Sequence, residues 1–202
     1  MVRIGISVEG STEERFVKSV LAPYLTRKGI YITSVSMGGR VNVDRVRSEL
    51  KKIASSFDFV TTLYDFYGFN NKHDSETKES LETRIAETSH GGVKPKLIPY
   101  VQMYEFESLL FSCPDAMQRV LNEDGTKGWC QSVLDEFNGN PECINDSFQT
   151  APSKRLEKNT GYRKTTHGPN IAKEIGIKKI RQECTGFNEW ISKLEALVLH
   201  LP

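Results

Sequence analysis

Val2-Arg3-Ile4-Gly5-Ile6-Ser7-Val8-Glu9-Gly10-Ser11-Thr12-Glu13-Glu14 decides how this chain folds. Ile4, Ile6 and Val8 alternate with the residues between them, the period of a β-strand with one face inward. Ser11 and Thr12 bring hydroxyls that can cap a helix, and Glu13 and Glu14 suit a positive first turn. Phe16, Val20 and Leu21 then recur at helical spacing, and Gly29 ends the helix. The reading is strand, glutamate, glycine, capped helix.

Outward from that unit the pattern repeats. Ile30 to Met37 reads as a second strand and Gly38-Gly39 as a turn. Val43, Val46, Leu50 and Ile53 mark a second helix. Phe57 to Tyr64 reads as a third strand, Ser75 to Thr88 as a polar helix, and Lys96 to Met103 as a fourth strand leading into a helix from about Glu105 to Phe111. Alternating strands and helices predict an α/β fold, a mostly parallel sheet flanked by helices. In such sheets the ligand crevice lies beyond the carboxyl ends of the strands. Glu9 ends the first strand, Asp65 the third, and Glu105 and Glu107 follow the fourth. After Ser112 the pattern changes: Asp115 to Leu121, Trp129 to Phe137, Ile171 to Ile175, Ile177 to Cys184 and Phe187 to Leu197 look helical, with a loop at Asn138-Gly139-Asn140-Pro141. The expected division is therefore a sheet domain over 1–112 and a helical extension over 113–202 packed on it.

The acids are the candidates for chemistry. Clustered carboxylates repel unless one is protonated or a cation joins them, and Mg²⁺ and Mn²⁺ prefer such oxygen donors. Glu9, Glu13, Asp65, Glu105 and Glu107 are thus the candidate metal ligands. Read singly, Glu13 also suits a helix cap and Asp65 a strand-end turn. Glu105 and Glu107 flank Phe106 in an otherwise apolar run, where a carboxylate is costly unless paired or metal-bound. Gly10 permits a tight turn or close approach to a phosphate.

Composition narrows the class. Of 202 residues 38% are hydrophobic and 26% charged, enough for a globular core. No apolar run nears the ~20 residues of a membrane span, and the first residues read as a strand, not a signal peptide. Cys113, Cys130, Cys143 and Cys184 include no CxxC pair, so reduced thiols in a cytoplasmic protein are expected. His73, His90, His167 and His200 are scattered, with no HExxH, and no GxxxxGK[ST] loop is present. The net charge of +1 hides a basic segment at 152–182, where nine Lys or Arg face only Glu157 and Glu174. Within it Lys154, Arg155, Lys164 and His167 are candidates to hold a nucleic-acid backbone. The alternative is solvated helix faces whose lysine stems cover apolar surface.

The opening motif resembles the first motif of Toprim domains of the OLD-like branch. The whole chain resembles the bacterial family known as domain of unknown function 4276. That resemblance rests on Thr61-Thr62-Leu63-Tyr64-Asp65-Phe66-Tyr67-Gly68, Tyr104 to Phe111, Ala151 to Leu156, His167-Gly168-Pro169, and Ile175 through Trp190. It implies a Toprim-like fold and a metal-dependent nuclease with Glu9, Asp65 and Glu105 as its catalytic acids. Nucleic acid is the implied substrate and an ATPase the implied partner, in bacterial defence; the oligomeric state is left open. Toprim domains carry a DxD after the third strand. Here Asp65 matches the first aspartate and Tyr67 stands in place of the second, so Glu105 or Glu107 is expected to supply the missing carboxylate. Tyr67 also leaves open a non-catalytic module that binds nucleic acid or an ATPase.

Overall fold

The computed structural model describes residues 1–145 and 147–200, with backbone alone for 199 and 200. Strand β1 (Val2–Val8) lies at the centre of the sheet. It pairs in parallel with β2 (Ile30–Ser36) on one side and β3 (Phe59–Asp65) on the other, with Ile6 opposite both Ser34 and Thr61. β3 pairs in turn with β4 (Leu97–Ile98) and β5 (Val101–Gln102), also in parallel. β1 and β3 are buried along nearly their whole length, as strands covered on both faces must be.

Helices cover both faces. On one, α3 (Val43–Ile53) and α4 (Lys78–Thr88) set Val46, Leu50, Leu81 and Ile85 against Val60, Tyr64 and Val101. On the other, Ile4, Ile6, Val8 and Leu63 meet α1 (Ser11–Phe16), a π-helical turn over Val17–Leu21, and α2 (Ala22–Thr26). Gly5 faces the Phe57 ring so closely that an added Cβ would lie 2.8 Å from Cε2. Gly5→Ala is therefore expected to cost about 2 kcal/mol, the range of an overpacked core, read from the urea midpoint.

The fourth strand differs from the single run expected over Lys96–Met103. Pro99 has no N–H to give to the ladder, and the run divides into β4 and β5. Thr62 bridges the gap: its hydroxyl donates to the Tyr100 carbonyl at 2.7 Å and accepts from the Tyr100 amide at 2.8 Å. The stretch expected as a helix from Glu105 is instead a 3₁₀ helix over Phe106–Ser112, with Glu105 extended before it. The polar helix begins at Lys78, capped by Thr77.

Beyond Ser112 come α5 (Pro114–Leu121), α6 (Thr126–Glu136), α7 (Pro152–Asn159), α8 (Lys164–Ile175), α9 (Ile177–Glu183) and α10 (Thr185–Ala196). They share the core of the sheet. Trp190 of α10 stacks on Tyr100 with ring centres 4.4 Å apart, and its indole N–H donates to Thr61 Oγ1 at 2.9 Å. α8 starts seven residues before the Ile171 that its spacing suggests, and it contains Pro169. A proline inside a helix orphans the carbonyl four residues earlier. That carbonyl, on Thr165, accepts from the Arg15 guanidinium of α1. The bond fixes the start of α8 beside the end of β1. All four cysteines are free thiols. No helix among the described residues is long and apolar enough to cross a membrane.

Candidate active site

Because β1 and β3 run parallel, Glu9 and Asp65 emerge at the same sheet edge. Three further elements begin there: α1 with Glu13, the 3₁₀ helix with Glu105 and Glu107, and α8 with Lys164. All five acids are electrostatically linked in this way: Glu9, Glu13 and Glu107 act on Asp65, and Glu105 acts on Glu9 and Glu107.

Asp65 is buried. Its Oδ1 accepts from the Phe106 amide at 2.7 Å, and its Oδ2 lies 3.6 Å from the Lys164 ammonium. Burial raises its pKa well above the carboxylate range; Lys164 opposes that, and the charges of Glu13, Glu9 and Glu107 add to it. Glu107 is fully buried, with Oε1 accepting from the Tyr162 hydroxyl at 3.1 Å and Oε2 3.3 Å from Lys164 Nζ. Burial, against the pull of Lys164, pushes it up to about 7. Burial and then Glu13 raise Glu9 as well. One oxygen of Glu9 and one of Glu107 are buried without a hydrogen-bond partner.

Glu13 is buried and caps its own helix, accepting from the Gly10 amide at 3.0 Å. Gly10 thus turns the chain for that cap. Glu105 accepts from the Ser153 amide at 2.8 Å, at the start of α7. Glu105 and Glu107 therefore diverge, the first toward α7 and the second toward Tyr162 and Lys164. Lys164 holds the centre. Burial works to lower its pKa, but the carboxylates of Asp65, Glu107, Glu13 and Glu105 outweigh this and raise it.

The other basic candidates sit elsewhere. Lys154 pairs with Glu157 at 3.0 Å on the surface. Arg155 pairs with Glu136 at 3.2 Å and lies over the Phe137 ring. His167 accepts from the Arg163 amide through Nδ1 at 3.0 Å, within the first turn of α8. The structure draws Lys164 in as counter-ion to the acids, a place no local sequence signal marks, since 57 residues separate it from Glu107. Tyr162 joins the site without any such signal either. Tyr67 supplies no carboxylate; its hydroxyl accepts from the Asn145 amide and its ring packs on Tyr104. The larger surface clefts, about 470 and 600 Å³, run along α4, and none of the five acids lines them.

The all-carboxylate donor set and the orphaned buried oxygen of Glu9 suit a hard divalent cation. As the side chains stand, no group of three Asp, Glu, His or Cys among the described residues converges closely enough to hold one. Gly68 bears on this directly. A Cβ there would come within 2.9 Å of both the carboxyl carbon and Oε1 of Glu9. Gly68→Ala would swing that flexible carboxylate away while sparing the fold. Were a cation held there by Glu9, the variant would lose roughly 10- to 100-fold in affinity for it, as for disturbed supporting residues, with the melting temperature little changed.

The family model described as "Domain of unknown function (DUF4276)" matches residues 8–195. Among solved structures, the C-terminal region of the Burkholderia pseudomallei OLD protein is similar at 17% identity and a TM-score of 0.49, covering 97% of this chain and 100% of that one. The C-terminal region of the Xanthomonas campestris pv. campestris OLD protein, phased with platinum, is similar at 20% identity and a TM-score of 0.47, covering 98% and 96%. No curated protein sequence matches.

Proposed function

The chain belongs to the DUF4276 family, and from the acids gathered at one sheet edge we propose that it hydrolyses phosphodiester bonds of nucleic acid with one or two Mg²⁺ or Mn²⁺ ions. The carrying observation is the set of carboxylates gathered at the ends of β1 and β3, with Asp65, Glu13 and Glu107 buried and one oxygen of Glu9 without a partner. Glu9, Asp65 and Glu105 would hold the cation, with Glu13 and Glu107 as further donors. A hard cation there supplies Lewis acidity toward the phosphate and lowers the pKa of a water. The chain's own groups do the rest. The Phe106 amide fixes Asp65, the Gly10 amide fixes Glu13, and Tyr162 with Lys164 holds Glu107. Lys164, 38% exposed, offers its ammonium to charge that builds on a bound phosphate. Action in the bacterial cytosol beside a partner ATPase, in defence, belongs to the same proposal through the family resemblance.

A second reading is favoured by one observation. Lys164 already neutralises Asp65 and Glu107, and Tyr67 brings no acid, as in a non-catalytic module that binds nucleic acid or an ATPase. Two measurements separate these. The first is incubation with Mg²⁺ or Mn²⁺ against supercoiled plasmid, single-stranded DNA and tRNA, beside Glu9→Ala; metal-dependent cleavage lost in the variant supports hydrolysis. The second is calorimetric titration with Mn²⁺, in which a non-catalytic module shows no saturable site.

A further inference from the structure

Three aromatic rings stand beside the acids in a row. Tyr67, two residues beyond Asp65, lies with its ring centre 5.4 Å from that of Tyr104 and 5.8 Å from that of Phe148. Tyr104 directly precedes Glu105. Both tyrosines are half-buried, and Phe148 is 61% exposed. A phenylalanine left that open forgoes most of its burial gain, so its place is not explained by the core.

The row is also held firmly. Tyr104 sits at φ 58°, a left-handed conformation that a bulky side chain rarely adopts. Its carbonyl accepts from the Tyr67 amide at 3.0 Å, which ties the two ring-bearing loops together. The Asn145 amide donates to the Tyr67 hydroxyl, bringing in the segment that carries Phe148. The same loops carry the acids, because the Phe106 amide bonds Asp65. Tyr67, Tyr104 and the carboxylate of Asp65 are thus joined through hydrogen-bonded loops.

We infer that Tyr104, Tyr67 and Phe148 form a stacking platform for the bases of single-stranded nucleic acid whose phosphate lies at the acids. The inference rests on the phosphodiester reading and narrows its substrate. Unpaired bases offer π-faces to aromatic side chains, whereas a duplex hides them in its own stack. Stacking is tolerant of base identity, because every base has a π-face. The ring row also accounts for Tyr67 where a second acid is expected.

The test uses the intact protein with Ca²⁺ in place of Mg²⁺, so that binding is read without cleavage. The probes are a dT 12-mer, a U 12-mer, an abasic 12-mer and a 12-base-pair duplex. The wild type should bind the base-bearing strands about tenfold or more tightly than the abasic strand. Phe148→Ala should remove about tenfold from the base-bearing strands and leave the abasic strand unchanged. Phe148→Trp should restore binding, with its added emission quenched by the single strands and not by the duplex. The dT and U arms tell DNA from RNA. Equal losses on base-bearing and abasic strands, no loss at all, or equal quenching by the duplex would overturn the platform, as would failure to bind any probe. Cleavage lost in Glu9→Ala but base preference absent sinks the platform alone. Base preference with no cleavage by any metal-loaded preparation sinks hydrolysis alone.

Discussion

On the proposed phosphodiester hydrolysis, Asp65→Asn should lower metal-dependent cleavage by about 10³-fold, on the order of 4 kcal/mol of transition-state stabilisation, while the folded chain loses less than ~1 kcal/mol. The two halves of that expectation have separate causes. Asparagine keeps an oxygen to accept from the Phe106 amide, the bond that anchors the 3₁₀ helix. It gives up the attraction of Lys164, a long contact at 3.6 Å to a part-exposed ammonium, which is worth little after screening. It also removes a negative charge that Glu13, Glu9 and Glu107 all oppose. What it cannot replace is a hard anionic oxygen at the end of β3. Thermal unfolding beside cleavage assays reads both halves at once. A variant that cleaves normally would place the chemistry elsewhere; one that is inactive and unfolded would show Asp65 to be structural.

How far the sequence foretells this site depends on the range of the forces involved. The alternation of Ile4, Ile6 and Val8 and the acids that follow β1 and β3 are local patterns, and they translate directly into a parallel sheet with carboxylates at one edge. Glu105 and Glu107 stand out for a similar reason, since charges in an apolar run need partners. The helix α8 is different. Its helical spacing shows only from Ile171, beyond Pro169, and the carbonyl that this proline orphans finds its partner in Arg15, 150 residues away. Without that bond the first turn of α8 is invisible, and with it the position of Lys164. The division of the fourth strand is hidden likewise, since a threonine side chain on β3, and not a backbone group, bonds Tyr100 across the gap after Pro99. The ring row depends on three loops meeting, so Tyr67 reads in the sequence only as a departure from a pattern.

The folded chain should be about 3 kcal/mol more stable at pH 5 than at pH 7.5, and added Mn²⁺ should erase much of the difference. Glu107 carries the argument. Burial first, with Glu105 and Glu13 adding and Lys164 opposing, moves it from the ordinary 4.5 to about 7. Between those values the folded chain keeps a proton that the unfolded chain has released. Stability therefore falls as pH rises through that window, by about 1.4 kcal/mol per pH unit. Asp65 and Glu9 shift in the same direction and deepen the fall. Of the acids held low, Asp58 by Arg3 and Asp115 by Lys127 lose their contribution only below the ordinary 3.8, and Glu79 and Glu195 only below the ordinary 4.5. The raised Lys164 keeps its contribution until pH passes its ordinary 10.5. Neither group acts between pH 5 and 7.5. For a chain of this length ~3 kcal/mol is a shift of roughly 10 °C in melting temperature. A cation bound by the ionised carboxylates stabilises the folded state most where they are ionised, so Mn²⁺ should lift the melting temperature at pH 7.5 and barely at pH 5. Glu107→Gln, neutral at every pH, should flatten the profile without metal. A wild-type profile that instead rises from pH 5 to pH 7.5 would mean that these acids are ionised and satisfied in the folded chain, and the demand for a cation would disappear with their strain.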